Sequence, residues 1–325
     1  MKSKIILSIS FLVATFQFPA LAQVDPNFPS KPVTFVVSQA AGGPTDVEAR
    51  IFAGKMAEIF GQSFVTENRP GATAAIGIGY VVKSKPDGYT LSAMGGGLLA
   101  YEALHPNAYP SSRDLSPISL VSQRANVLVV PSSLPVKNLQ EYFAYAKANP
   151  GKINFATSGA GGGVHLAGAW LHSGSGSQAT FVHYKGAGAV IADLQAGRVQ
   201  ATTYGMVLAL PLIKAGKLRA IAIMNKDRSD LMPDLPTVAE SGIPGFNYSA
   251  WLGFAGPAAT PSAVTDKLAN GFIRATKSPD IIKRLESEGS MMVGSTPAEF
   301  RKYIQGEVAQ WRKVVQDNAI KVDES

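Results

Sequence analysis

Two stretches of this chain repeat one local plan, and that plan limits what it can fold into. VTFVVSQAAGGPTDVEAR (Val33–Arg50) and INFATSGAGGGVHLAGAWL (Ile153–Leu171) each read as a short apolar strand, a loop of glycine and other small residues, and a helix. The first N–H groups of a helix have no intrahelical partner and sit at the positive end of its dipole, so such a turn is a seat for an anion. Small residues let the backbone itself approach the ligand. A third stretch, Phe181–Val199, puts Tyr184, Lys185 and Gly186 just past a strand end, where α/β folds collect ligands. Two such turns far apart in one chain imply two halves facing one small anion, a pattern of binding more than of catalysis.

The amino terminus reads as a secretory signal. Lys2 and Lys4 precede the apolar run Ile5–Phe18, and Ala20-Leu21-Ala22 supplies small residues for cleavage after Ala22. The run is shorter than the roughly 20 residues that span a bilayer, and no later segment reaches that length without polar interruption, so an exported, periplasmic protein is expected. With no cysteine in the chain, lipid anchoring, thiolate metal sites and thiol redox chemistry are excluded. Removing Lys2 and Lys4 lowers the formal charge from +7 to +5, enough to steer small anions. The charge is too diffuse for nucleic acid, because no Lys/Arg cluster interleaves with aromatic residues.

Strands and helices alternate almost throughout, which predicts an α/β architecture with mainly parallel sheets and two domains. Strands are expected at Val33–Val37, Phe64–Glu67, Thr90–Met94, Val127–Val130, Ile153–Ala156, Phe181–Tyr184, Val199–Thr203, Leu218–Met224 and Tyr248–Phe254. A helix runs from about Thr45 to Phe60, with Phe52, Met56 and Ile59 on its buried face and Gly61 ending it. Asn149-Pro150-Gly151 stops the helix carrying Leu139, Phe143 and Ala146, and Gly197 stops the one carrying Val190, Ile191 and Leu194. Thr296-Pro297-Ala298-Glu299 is a capping box opening a long final helix, whose Phe300, Ile304, Trp311 and Val315 form a packing stripe. On composition, His172–Ser177 reads as a surface loop.

Catalytic constellations are absent from the pattern. The four histidines (105, 165, 172 and 183) show no metal-ligand spacing, and no GxSxG elbow offers a nucleophile. Gly95-Gly96-Gly97 mimics a dinucleotide fingerprint, but no acidic residue follows in a clean βαβ context. No catalytic residue, metal or cofactor is therefore assigned. Asp46 has two readings: a first-turn carboxylate capping free N–H groups, or a partner for an ordered water or ligand amine. His165 is similarly either a lining residue of the second turn or a helix cap. Lys185 reads as a cation for the cleft.

Taken together, several segments resemble the extracytoplasmic solute receptors of the tripartite tricarboxylate transporter family, the Bug receptors. They are Phe28-Pro29-Ser30-Lys31-Pro32, Ala41–Asp46 with Ala49-Arg50, Glu67–Ala72, Lys85–Leu91, Tyr184-Lys185-Gly186, Pro233–Val238 with Glu240-Ser241-Gly242, and Gly256-Pro257-Ala258. The resemblance implies a two-lobed periplasmic binding protein of type II, the Venus-flytrap form, with a two-strand hinge near Ser122–Asn126 and Asn247–Trp251. Domain one would comprise 23–124 and 252–325, and domain two, inserted, 125–251. In such receptors backbone amides and ordered waters grip a ligand carboxylate. Carried over, the site is Ala40, Ala41, Gly42, Gly43, Thr45 and Asp46 facing Ser158, Gly159, Gly162, Gly163, His165, Tyr184, Lys185 and Gly186. The chain departs from the family at Ser38-Gln39 and Ala41, and at Tyr204, where an acidic residue is frequent. Gln39 and Tyr204 offer neutral hydrogen bonds and a stacking face instead, which points away from an amino acid and toward an aromatic or hydroxylated mono- or dicarboxylate. The expected partners are a small organic carboxylate and integral-membrane permease subunits, with the receptor a monomer. A sensor kinase in place of the permease is the alternative; a secreted hydrolase would need a nucleophile–base pair the sequence lacks.

Overall fold

A computed structural model of the chain describes residues 26–320 except 72, 73, 106, 108–110, 185, 186, 288 and 319. The proposed signal peptide, Lys185 and Gly186 lie outside the described residues. The strands and helices follow in chain order as β1 (Val33–Val37), α1 (Pro44–Phe60), β2 (Phe64–Asn68), α2 (Ala75–Val82), β3 (Thr90–Met94), α3 (Gly97–Leu104), β4 (Leu115–Arg124), β5 (Asn126–Pro131), α4 (Leu139–Ala148), β6 (Asn154–Thr157) and α5 (Gly163–Ser175). Then come β7 (Thr180–His183), α6 (Ala187–Gln195), β8 (Ala201–Gly205), α7 (Met206–Lys214), β9 (Leu218–Ile223), β10 (Ala250–Pro257), α8 (Ser262–Thr276), α9 (Pro279–Glu286), β11 (Ser290–Met292) and α10 (Pro297–Asp317).

The strands form two sheets. One has six strands in the order β11-β4-β10-β3-β1-β2, the other five in the order β7-β6-β8-β5-β9. Both are mixed. Parallel pairing joins β1 to β2 and β3, and β6 to β7 and β8. The strands that carry the chain between sheets, β4, β5, β9 and β10, pair antiparallel. The chain leaves the first sheet at Arg124, enters the second at Asn126, and returns at Ala250. Each sheet with its helices is one lobe.

Alternation along the strands feeds different layers. Phe35 and Val37 of β1 join Phe52, Phe254 and Phe272 in an aromatic core under α1 and α8, where Phe254 and Phe272 stack at 4.3 Å. Val36 faces the opposite way, into a core that continues across both lobes. On β5, Leu128 and Val130 join that shared core, while Val127 and Val129 face a third cluster under α6 and α7. The lobes meet beside the crossings through aromatic residues: Trp170 of α5 lies 4.5 Å from Phe246 and 6.4 Å from Trp311 of α10. Polar groups knot the same region, since the Arg124 carbonyl accepts from the side chains of Asn126, Asn225 and Ser249.

Two strands were not foreseen. β4 contains Pro117 and buried serines at 116, 119 and 122, a composition that hides a strand. Register shifts against β10 make room for the proline, whose ring cannot donate to a ladder, and Ser119 and Ser122 donate to the Ser295 carbonyl and to Glu48. β11 is three residues long, too short for a periodic signal. The strands expected at Val199–Thr203 and Tyr248–Phe254 lie about two residues further on, so Tyr204 is inside β8 rather than after it. His172–Ser177 is not a surface loop: His172 is buried at the end of α5, with Nε2 3.1 Å from the Tyr142 hydroxyl and Nδ1 2.8 Å from the Ser177 hydroxyl. The helix ends at Gly176, in the left-handed conformation that glycine adopts without strain.

Candidate functional site

The first glycine turn is held by a carboxylate. Gly42 takes φ +79°, and Gly43, extended at φ −74° and ψ 163°, is the N-cap of α1 with Pro44 at its first position. No side chain caps this helix. Asp46, almost fully buried, accepts at Oδ2 from the Gly42 N–H (2.9 Å) and Arg50 Nε (3.0 Å). Its Oδ1 accepts from Asn68 Nδ2 (2.9 Å) and pairs with Arg50 Nη2 (3.0 Å). Asn68 also donates to the Gln39 carbonyl at 3.1 Å. Burial by itself would raise the Asp46 pKa, but the bonds from Arg50, Gly42 and Asn68 outweigh it and hold the carboxyl below the usual aspartate value. Every oxygen is committed within the lobe. Asp46 therefore fastens the turn through bonds within its own lobe. The exposed surface above it is Gln39, Ala40, Ala41 and Gly42, with Gly43 half-buried and Thr45 buried.

The second turn has the same construction with different chemistry. Gly161 takes φ +70°, and Gly162, at φ −75° and ψ 166°, is the N-cap of α5, again with no side-chain cap. The Gly161 N–H donates to Nδ1 of His165 at 3.1 Å, as Gly42 donates to Asp46 four residues on. A side chain on Gly43 would lie 3.4 Å from the Ala40 carbonyl, and one on Gly162 3.5 Å from the Gly159 carbonyl. Gly42, Gly43 and Asp46 thus correspond to Gly161, Gly162 and His165. Burial, with a smaller push from His183, lowers the His165 pKa to about 4. The ring is neutral near pH 7, and because Nδ1 accepts, Nε2 carries the proton.

The remaining expected residues divide. Ser158 is exposed and Gly159 half-buried on the same turn, while Gly163 opens α5 against Tyr248 of the returning crossing. Tyr184 ends past β7 with its hydroxyl committed to Asp193 at 2.7 Å, which Arg198 pairs at 2.6 Å. Tyr204 stands at the carboxyl end of β8 opposite Val127, half-buried against the third cluster, and burial raises its pKa.

Sequence reasoning missed four contributors. Arg50 and Asn68 lock the first turn; the Ala49-Arg50 and Glu67-Asn68-Arg69 segments were visible, but not that they meet on Asp46. Thr157, buried, and His183, exposed, stand beside the second turn, their hydroxyl and Nδ1 2.6 Å apart. Gly95-Gly96-Gly97 leads into α3 at the carboxyl end of β3, and a side chain on Gly96 would meet Glu307 Oε1 at 2.7 Å. Glu307 accepts from the indoles of Trp251 (2.6 Å) and Trp311 (3.1 Å), and burial raises its pKa to about 7. Gly95 and Gly96 thus pack closely against the Trp251 carbonyl and Glu307. Two open cavities lie away from the turns: about 410 Å³ between Phe28, Phe60 and α8, and about 500 Å³ between α10 and Asn247 and Ser249.

The chain matches known proteins along most of its length. The profile described as "Tripartite tricarboxylate transporter family receptor" matches residues 48–320. Protein BugT of Bordetella pertussis is 32% identical over 323 residues, covering 98% of this chain and 99% of its own. Rpa4515 of R. palustris, solved with adipate, is 31% identical with a TM-score of 0.82 over 90% of this chain and 99% of its own. MatC of Rhodopseudomonas palustris, solved with bound malate, is 31% identical with a TM-score of 0.80 over 89% of this chain and all of its own. On these matches and its two-lobed fold, the chain belongs to the tripartite tricarboxylate transporter family receptors, periplasmic solute-binding proteins rather than enzymes.

Proposed function

We propose that the protein captures a small dicarboxylate between its lobes, each glycine turn gripping a carboxylate with backbone N–H groups, and delivers it to a tripartite permease. The observation that carries this reading is one matched turn in each lobe, a positive-φ glycine followed by an extended glycine that opens a helix with no side-chain cap, Gly42-Gly43 before α1 and Gly161-Gly162 before α5. Adipate and malate in the two related structures support the ligand class. Domain one is then 23–124 with 252–325, domain two 125–251, and the crossings near Arg124 and Ala250 the hinge. Cleavage after Ala22 would release the mature receptor as a monomer. An amino acid fits poorly, because Asp46 is committed to its own lobe and Tyr204 stands where the family often has an acid. The test is a thermal-shift screen over linear and hydroxylated dicarboxylates. A ligand at 100 times its Kd stabilises by about 2.7 kcal/mol, a readable shift. No shift with any dicarboxylate, against a clear one with an amino acid, would overturn the reading.

A further inference from the structure

The second turn is the harder of the two to hold in place. Gly159, Gly161 and Gly162 lie within four residues, and Gly159 takes φ +149°, a conformation that side-chain-bearing residues rarely adopt. Such a backbone loses more freedom on ordering than any other, so something must fix it. Lobe one uses the Asp46–Arg50–Asn68 network; lobe two has no carboxylate in the equivalent place, and His165 stands there instead.

Two imidazoles meet this turn at different points. His165 takes the Gly161 N–H on Nδ1. His183, at the end of β7, places Nδ1 2.6 Å from the hydroxyl of Thr157, the last residue of β6. That hydroxyl lies 3.4 Å from the Gly159 N–H and 3.3 Å from the Gly159 carbonyl. When it donates to Nδ1 of His183, it is free to accept from the Gly159 N–H, so ring, hydroxyl and turn form one chain. The two rings pack edge to face at 4.9 Å, and Phe181 packs on His165 at 4.6 Å, which fixes the orientation of both.

We propose that His183, acting through Thr157, and His165 are positioning residues that together hold the Gly159–Gly162 turn in the geometry that receives a carboxylate. The proposal rests on reading this turn as the lobe-two half of the site. Its action runs through Nδ1 in both residues. This makes it distinguishable from packing: an asparagine side chain puts a polar atom where Nδ1 was, and a glutamine puts one where Nε2 was.

The test uses the mature protein and four variants, His183→Ala, His183→Asn, His183→Gln and Thr157→Val. Amide hydrogen exchange at Gly159 and Gly161 is followed without ligand, and adipate and malate are titrated by calorimetry. His183→Ala and Thr157→Val should speed exchange at Gly159 and weaken binding by about two- to tenfold, the range for losing one hydrogen bond. His183→Asn should restore both, and His183→Gln should not. Unchanged exchange in His183→Ala, or asparagine behaving as alanine does, would overturn the proposal. If the unmodified protein takes up neither dicarboxylate, the proposed ligand class fails, while the exchange data still decide whether the imidazoles hold the turn.

Discussion

Replacing Asp46 by asparagine is the sharpest probe of the first turn. Four donors converge on its two oxygens: the Gly42 N–H, Arg50 Nε, Arg50 Nη2 and Asn68 Nδ2. Asparagine keeps one oxygen and turns an NH₂ toward the donors of the other. At least one pair of donors then loses its acceptor, and a hydrogen bond to a charged group contributes about 1.5–3 kcal/mol. Arg50 is 49% exposed, so water replaces part of what it loses. The expected destabilisation is about 2–3 kcal/mol, or about 1 M in the urea midpoint at an unchanged m-value. The pH dependence has a definite sign. A carboxyl whose folded pKa is depressed contributes stability above its unfolded value of about 3.9, and that stability is lost as pH falls through the folded pKa. The gap between wild type and Asp46→Asn should therefore be full at pH 7 and shrink as pH falls below the unfolded value of about 3.9. Equal midpoints at pH 7, or a gap that persists undiminished in acid, would refute the locking role.

Four further outcomes follow from the structure. Gly43→Val should leave stability within about 1 kcal/mol, because the extended Gly43 backbone accepts a side chain whose one near neighbour is the Ala40 carbonyl at 3.4 Å, yet weaken dicarboxylate binding at least tenfold in calorimetry. Gly42→Ala should do the reverse, costing about 1–2 kcal/mol through its φ of +79° while adding no bulk that meets another atom. His172, held neutral with its pKa pushed down to about 4 by burial, makes the unfolded chain bind more protons between about pH 6.5 and 4. Stability should fall across that window by about 3 kcal/mol on its account, and urea titrations of His172→Gln should show that part of the slope removed. Tyr204→Asp should weaken malate by about tenfold or more by adding a like charge, and unchanged affinity would place Tyr204 outside the site.

Much of the framework was legible because it depends on local chemistry. β1 and β3 begin and end at the expected residues, Gly61 ends α1 in the left-handed conformation, and the Thr296–Glu299 capping box is formed on both sides. Each of these is decided within a few residues. The glycine turns were visible for the same reason. What holds them was only partly so: Arg50 meets Asp46 one turn along the same helix, but Asn68 and His183 reach the turns through the fold, Asn68 from the neighbouring strand and His183 from a strand 26 residues beyond Thr157. β4 was hidden by Pro117 and by serines whose hydroxyls find buried partners only in the folded chain. Small polar residues near the end of a helix suggested a loop at His172, where tertiary contacts with Tyr142 and Ser177 carry the helix on.

The central claim is that one dicarboxylate is held by both turns at once. Its most direct test is a titration of the ¹⁵N-labelled protein with malate, following the amides of Thr45 and Asp46 in lobe one and of Gly163, Val164 and His165 in lobe two. Both groups should shift together and yield the same Kd, as a ligand that bridges and closes the lobes requires. Shifts confined to one group, or saturating at different malate concentrations, would contradict it.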